Sequence, residues 1–168
     1  VNSFIYTASR GYLDHHAIER IVPGNWVDVS YTAFGKKECR YLIPNEFELN
    51  PDVEPLDSHP GSVCMGGYGE AGLAGCEFFF PLRDCPDHKG IYPVFGRVLE
   101  GMDEVYRLEK VETVPVTDFP IEGVEVNRPV RPEIIERVEL ELYGAVYPEP
   151  VRVREPELPE CWKDEAAE

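Results

Sequence analysis

Histidine, cysteine and carboxylate side chains at short spacing are the first candidates for chemistry, because a metal site needs three or four such ligands converging on one point. Two local pairs occur, His16-x-x-Glu19 and Cys85-x-x-His88, and Cys64, Cys76, Cys85 and His88 could together supply four ligands. The gaps of eleven and eight residues within that set match no common metal knuckle, so no metal is expected. The segment GGYGEAGLAG has the glycine content of a phosphate loop but lacks its lysine, and no apolar helical period follows it; a structural loop is expected. Ser62 and Cys64 precede no strand-to-helix elbow, so neither reads as a nucleophile with a histidine base. Carboxylates are too numerous to single out an acid/base pair and mostly form a solvated face. Arg20 stands just before the β-branched pair Ile21-Val22, and read alone it fits a surface salt bridge on a strand.

The elements that must position these residues follow from periodicity. Val1, Phe4, Ile5 and Ala8 recur at helical spacing, with Gly11 placed to stop the helix. A strand is expected over 17–22, ended by the turn dipeptide Pro23-Gly24. Residues 51–60 turn to Pro, Asp, Glu and Ser, the composition of an exposed loop. EFFFPL and YPVFGRVL are β-prone blocks. Met102, Val105, Leu108 and Val111 recur three apart behind Asp103 and Glu104, giving a second helix with acidic residues in its first turn. From Arg137 to Tyr143 apolar and charged residues alternate as in a half-buried strand, and the Pro- and Glu-rich stretch beyond should not pack fully. Two helices and about six strands, joined by connections too short for βαβ crossovers, predict an antiparallel barrel or sandwich with helices at its ends.

Composition narrows the partners. With 168 residues the chain is one domain's worth and long enough to bury a core. Sixteen basic against 32 acidic side chains leave a net charge of −16, which repels a phosphate backbone and argues against nucleic acid as a partner. The longest apolar run, Phe78-Phe79-Phe80, falls far short of the ~18 residues that cross a bilayer, so no membrane partner is expected. A cytoplasmic location is the default, and most of the five cysteines read as small buried hydrophobes. The text opens mid-pattern on Val1, as a fragment would.

One ordered set of blocks rises above these readings: FIYTASRGYLDHHAIERIVPG, YLIPNEFE, HPGSVCMGG, EFFF and IYPVFGRVLEGMDEVYRLEKV. Together they resemble the cyclophilin family of peptidyl-prolyl cis-trans isomerases from residue 1 to about 143, most specifically in RIVPG and VFGRVLEGMD. The resemblance implies a mainly β fold, an eight-stranded antiparallel barrel capped by two helices and lacking its first two strands here. The final strand over 134–143 would then carry an open edge. It divides the chain into a cyclophilin-like domain over 1–144 and an acidic tail over 145–168. It also implies a reaction without cofactor, rotation about Xaa-Pro amides in peptides or unfolded proteins, and a monomer once the barrel is complete.

Residue by residue, Arg20 matches the family's catalytic arginine and Phe79 its pocket phenylalanine. Trp26 and Tyr92 fall at further pocket positions, and His88 lies in the same stretch, where a solvated loop histidine is the simpler reading. Other positions depart from the pattern. Asp28 and Glu77 stand where glutamines are usual, so two carboxylates would crowd one guanidinium, and Asp28 could pair with Arg20. Met65-Gly66-Gly67 replaces the family's Met-Ala-Asn, keeping backbone contacts to substrate but losing side-chain ones. The leading expectation is a prolyl isomerase; the alternatives are a proline-peptide binding or chaperone module with weak turnover, and a purely structural domain.

Overall fold

The computed structural model describes residues 1–31, 36–68, 72–119 and 121–153. In chain order the elements are helix α1 (Asn2–Ser9), strands β1 (His16–Ala17), β2 (Arg20–Val22), β3 (Trp26–Asp28) and β4 (Leu42–Ile43), the one-turn helix α2 (Glu46–Leu49), β5 (Ser62–Gly67), β6 (Leu73–Pro81), β7 (Val94–Arg97), α3 (Met102–Glu109), β8 (Thr113–Pro115), β9 (Asn127–Pro129) and β10 (Ile134–Ile135). Both helices expected from periodicity are present. The short α2 adds to them, its start held by Asn45, whose side chain accepts the Phe47 N–H at 3.0 Å.

The strands form an antiparallel sheet in the order β7-β5-β6-β3-β2-β9-β8, with β4 also on β6, while β1 and β10 make a separate two-stranded ladder. β6 is long enough to carry two partners along one edge: β4 pairs with Leu73 and Ala74, and β3 with Phe79 to Pro81. Period-two alternation then sorts the side chains. Ile21, Val27 and Phe80 occupy one cross-strand row and face the main core with Phe78, Val29, Ile18 and Leu13. Helix α1 lays Phe4 edge-on against Phe78, with ring centroids 5.3 Å apart, and α3 contributes Val105 and Leu108. Arg20, Asp28 and Phe79 occupy the next row and face the opposite way.

The structure departs from the expectations or adds to them at four places. The glycine-rich stretch runs into strand at both ends, Gly66 and Gly67 in β5 and Leu73 to Gly75 in β6, where its glycines make room for bulky neighbours: a Cβ on Gly75 would overlap the Tyr41 ring. The final strand shrinks to Ile134–Ile135, since beyond it no ladder partner runs alongside among the described residues. Val138 instead donates its N–H to Asp14 Oδ1 at 2.9 Å, and Val138 and Leu140 rest on the core. β8 and β9 lie in a proline-interrupted stretch where alternation signals no strand. The beginning of the tail packs back: Val153 N–H donates to Leu42 C=O at 2.8 Å, and the Arg152 guanidinium lies 4.2 Å from the Tyr41 ring centroid. The remainder, 154–168, lies outside the described residues.

Candidate active site

The β2–β3 hairpin builds the centre of the site. Pro23 and Gly24 make the turn, Gly24 with a φ of +73° that suits glycine, and Asn25 N–H closes it on Val22 C=O at 2.9 Å. That turn sets the register in which Arg20 stands opposite Asp28 and Val22 opposite Trp26. Residues directly opposite on one face are close enough for their side chains to meet. Arg20 Nη1 accordingly donates to Asp28 Oδ2 at 2.8 Å, and its Nε to Glu125 C=O at 2.7 Å. The guanidinium also stands 5.6 Å from the Trp26 ring centroid and 4.9 Å from that of Tyr31. The salt bridge that the plainer alternative for Arg20 put at the surface is thus a largely buried one.

These groups open onto a cavity of about 140 Å³. Arg20, Asp28 and Glu77 supply its charge, and Trp26, Phe79, His88 and Tyr92 its aromatic wall. The rings interlock at centroid separations from 4.9 Å for His88–Tyr92 to 6.2 Å for Trp26–Phe79. The 3₁₀ turn Pro86–His88 drives His88 into this cluster, so it is 6% exposed and not a solvated loop residue. Glu77, two residues before Phe79 and hence on the same face of β6, points inward at 4% exposure. Gly66 makes its place: a Cβ there would overlap the Glu77 carboxyl, and the β5–β6 register shifts at this point.

The cavity collects nine of the residues expected from the sequence: Arg20, Trp26, Asp28, Gly66, Gly67, Glu77, Phe79, His88 and Tyr92. Met65 is the exception. It turns to the other side of β5 and packs with Tyr41, Ile43 and Leu73, while its N–H donates to Pro93 C=O at 2.9 Å. Tyr31 and Val124 line the cavity without having been expected. No local signal marks them: Tyr31 lies beyond the β3 alternation, and Val124 arrives from about a hundred residues away through the β2–β9 pairing.

Burial governs the electrostatics. It pushes the Asp28 carboxyl up to about 6, against the opposing pull of the Arg20 guanidinium and its hydrogen bond. Burial also disfavours charge on Arg20, but the ion pair with Asp28 outweighs it and the guanidinium stays firmly charged. His88 is held below its ordinary value by burial, which favours the neutral ring. Burial and then the Glu77 charge raise both Tyr31 and Tyr92, so both stay neutral phenols. A buried cation next to an aromatic slot can stabilise negative charge or a lone pair developing on a small apolar ligand.

Comparison with known proteins gives this arrangement a lineage. The family model for cyclophilin type peptidyl-prolyl cis-trans isomerases matches residues 1–149. Peptidyl-prolyl cis-trans isomerase-like 1 of Aspergillus niger is 31% identical over 129 residues, spanning 75% of this chain and 76% of that protein. The human peptidylprolyl isomerase domain and WD repeat-containing protein 1 is 29% identical over 129 residues, and there the chain spans only 19% of the relative's length. Among solved structures, a cyclophilin type peptidyl-prolyl cis-trans isomerase of Cryptosporidium parvum, crystallised in the presence of the dipeptide Ala-Pro, matches with a TM-score of 0.58 at 18% identity, covering 80% of each chain. The chain belongs to the cyclophilin-type peptidyl-prolyl cis-trans isomerase family.

Proposed function

We propose that this chain catalyses cis-trans isomerisation of Xaa-Pro bonds, with Arg20 as the electrostatic catalyst and the Trp26, Phe79, His88 and Tyr92 rings as the proline slot. The observation that carries this reading is the shared cavity, in which a charged guanidinium borders an aromatic recess large enough for a pyrrolidine ring. The barrier to rotation, about 20 kcal/mol, comes from double-bond character in the C–N bond. A donor that engages the prolyl nitrogen as it pyramidalises holds its lone pair out of resonance. That interaction exists only in the twisted state, so it lowers the barrier without tightening ground-state binding. Arg20 Nη2 makes no hydrogen bond to a described residue, which supports it as the donor in this role. The aromatic slot anchors the ring while the segment on the other side of the bond turns. No covalent intermediate or cofactor is required.

One observation favours a second reading. Asp28 and the Glu125 carbonyl already occupy Nη1 and Nε of Arg20, which suits a domain that grips proline peptides with little turnover. Relaxation of an Ala-Pro peptide after a solvent jump, followed by NMR at about 10 °C where the spontaneous step takes minutes, separates the two. Acceleration supports the isomerase; binding without acceleration supports the gripping domain.

A further inference from the structure

Among the described residues that line the cavity, two carboxylates share one guanidinium. Arg20 faces two carboxylates there, Asp28 at 1% exposure and Glu77 at 4%. Arg20 engages Oδ2 of Asp28, but Oδ1 is buried and accepts no hydrogen bond from a described residue. A desolvated carboxylate oxygen is costly without a donor, and the described residues supply none. His88 Nδ1, in the wall of the same cavity, is likewise buried without a partner among the described residues. Trp26, Phe79 and Tyr92 add ring faces, which attract cations. Gly66 keeps open the space that holds the Glu77 carboxyl inside.

We infer that this cavity selects proline peptides with a lysine or arginine directly beside the proline, the cationic side chain donating to Asp28 Oδ1 and facing the Glu77 carboxylate. A proline seated against Phe79 puts its neighbouring residue one peptide unit, about 3.8 Å, along the chain, within side-chain reach of both carboxylates. An acidic neighbour meets the same charges as repulsion. The inference rests on the proline-slot reading and adds a substrate class to it.

The test uses three peptides identical except for Lys, Ala or Glu before the proline. Isomerisation is followed by NMR exchange, and binding in parallel by Trp26 fluorescence and calorimetry. At low salt the Lys peptide should be favoured over the Glu peptide by about tenfold or more in kcat/KM and in affinity, a preference that shrinks at high salt. Glu77→Gln should reduce that ratio at least threefold, with circular dichroism confirming the fold. If the Ala peptide is isomerised but Lys and Glu peptides are treated alike, or Glu77→Gln leaves their ratio unchanged, the inference is overturned while the isomerase stands. If nothing is isomerised but the Lys peptide still binds preferentially through Glu77, the inference stands and the isomerase fails. Absence of both turnover and binding overturns both.

Discussion

Arg20 and Asp28 are direct cross-strand neighbours in the β2–β3 hairpin, joined by a 2.8 Å ion pair, and Phe79 continues their row on β6. The guanidinium is therefore placed by backbone register as well as by side-chain packing. The same pairing that orients Arg20 also neutralises part of the field it offers to a ligand.

Asp28→Asn keeps an acceptor opposite Arg20 but removes the opposing charge. Turnover of a neutral Ala-Pro peptide should rise about three- to tenfold, because the guanidinium interacts more strongly with the twisted amide. Stability should fall by about 1–3 kcal/mol, since a buried cation loses its counter-charge. Relaxation kinetics and urea unfolding check the two parts; a fall in turnover with a native spectrum would show that Asp28 serves mainly to position Arg20.

Gly66→Ala should weaken proline-peptide binding about tenfold or more, because the added Cβ pushes the Glu77 carboxyl into the slot. Combining it with Glu77→Ala should relieve the overlap and recover most of the affinity. Calorimetric titration of an Ala-Pro peptide into the single and double variants measures this coupling. Equal losses in both variants would mean that Glu77 does not cause the effect.

The buried His88 ring predicts a pH dependence of stability. Its folded pKa is lowered, so the native state binds fewer protons than the unfolded chain, and the contribution is present above about pH 6.5 and lost as pH falls. His16, lowered by burial as well, acts in the same direction, whereas the raised Asp28 contributes stability that is lost as pH rises. His88→Leu should therefore lose less stability than the parent chain between pH 7.5 and 5. Urea unfolding at both pH values is the check, and parallel losses would contradict the burial of a neutral ring.

Much of this site is legible in the sequence because short-range rules place it. The Pro23-Gly24 turn fixes a hairpin register, and alternation along EFFF puts Glu77 and Phe79 on one face and Phe78 and Phe80 on the other. Turns and alternation are silent on long-range pairing. The strands at 113–115 and 127–129, which bring Val124 and the Glu125 carbonyl to Arg20, join segments with no local signal. Alternation over 137–143 reads as a strand, but a ladder needs a neighbouring backbone, and among the described residues it is the preceding Ile134 and Ile135 that find one. His88 has the flanking composition of a solvated loop, and its burial comes with long-range packing against the rings of Trp26, Phe79 and Tyr92.

The most direct test of the central claim is the relaxation rate of an Ala-Pro peptide at about 10 °C with the parent chain and with Arg20→Ala. The parent chain should accelerate the relaxation, and the variant should lose about a hundredfold in kcat/KM with peptide affinity reduced far less. A variant that folds and accelerates the reaction as well as the parent would contradict the assignment of Arg20 as the catalyst.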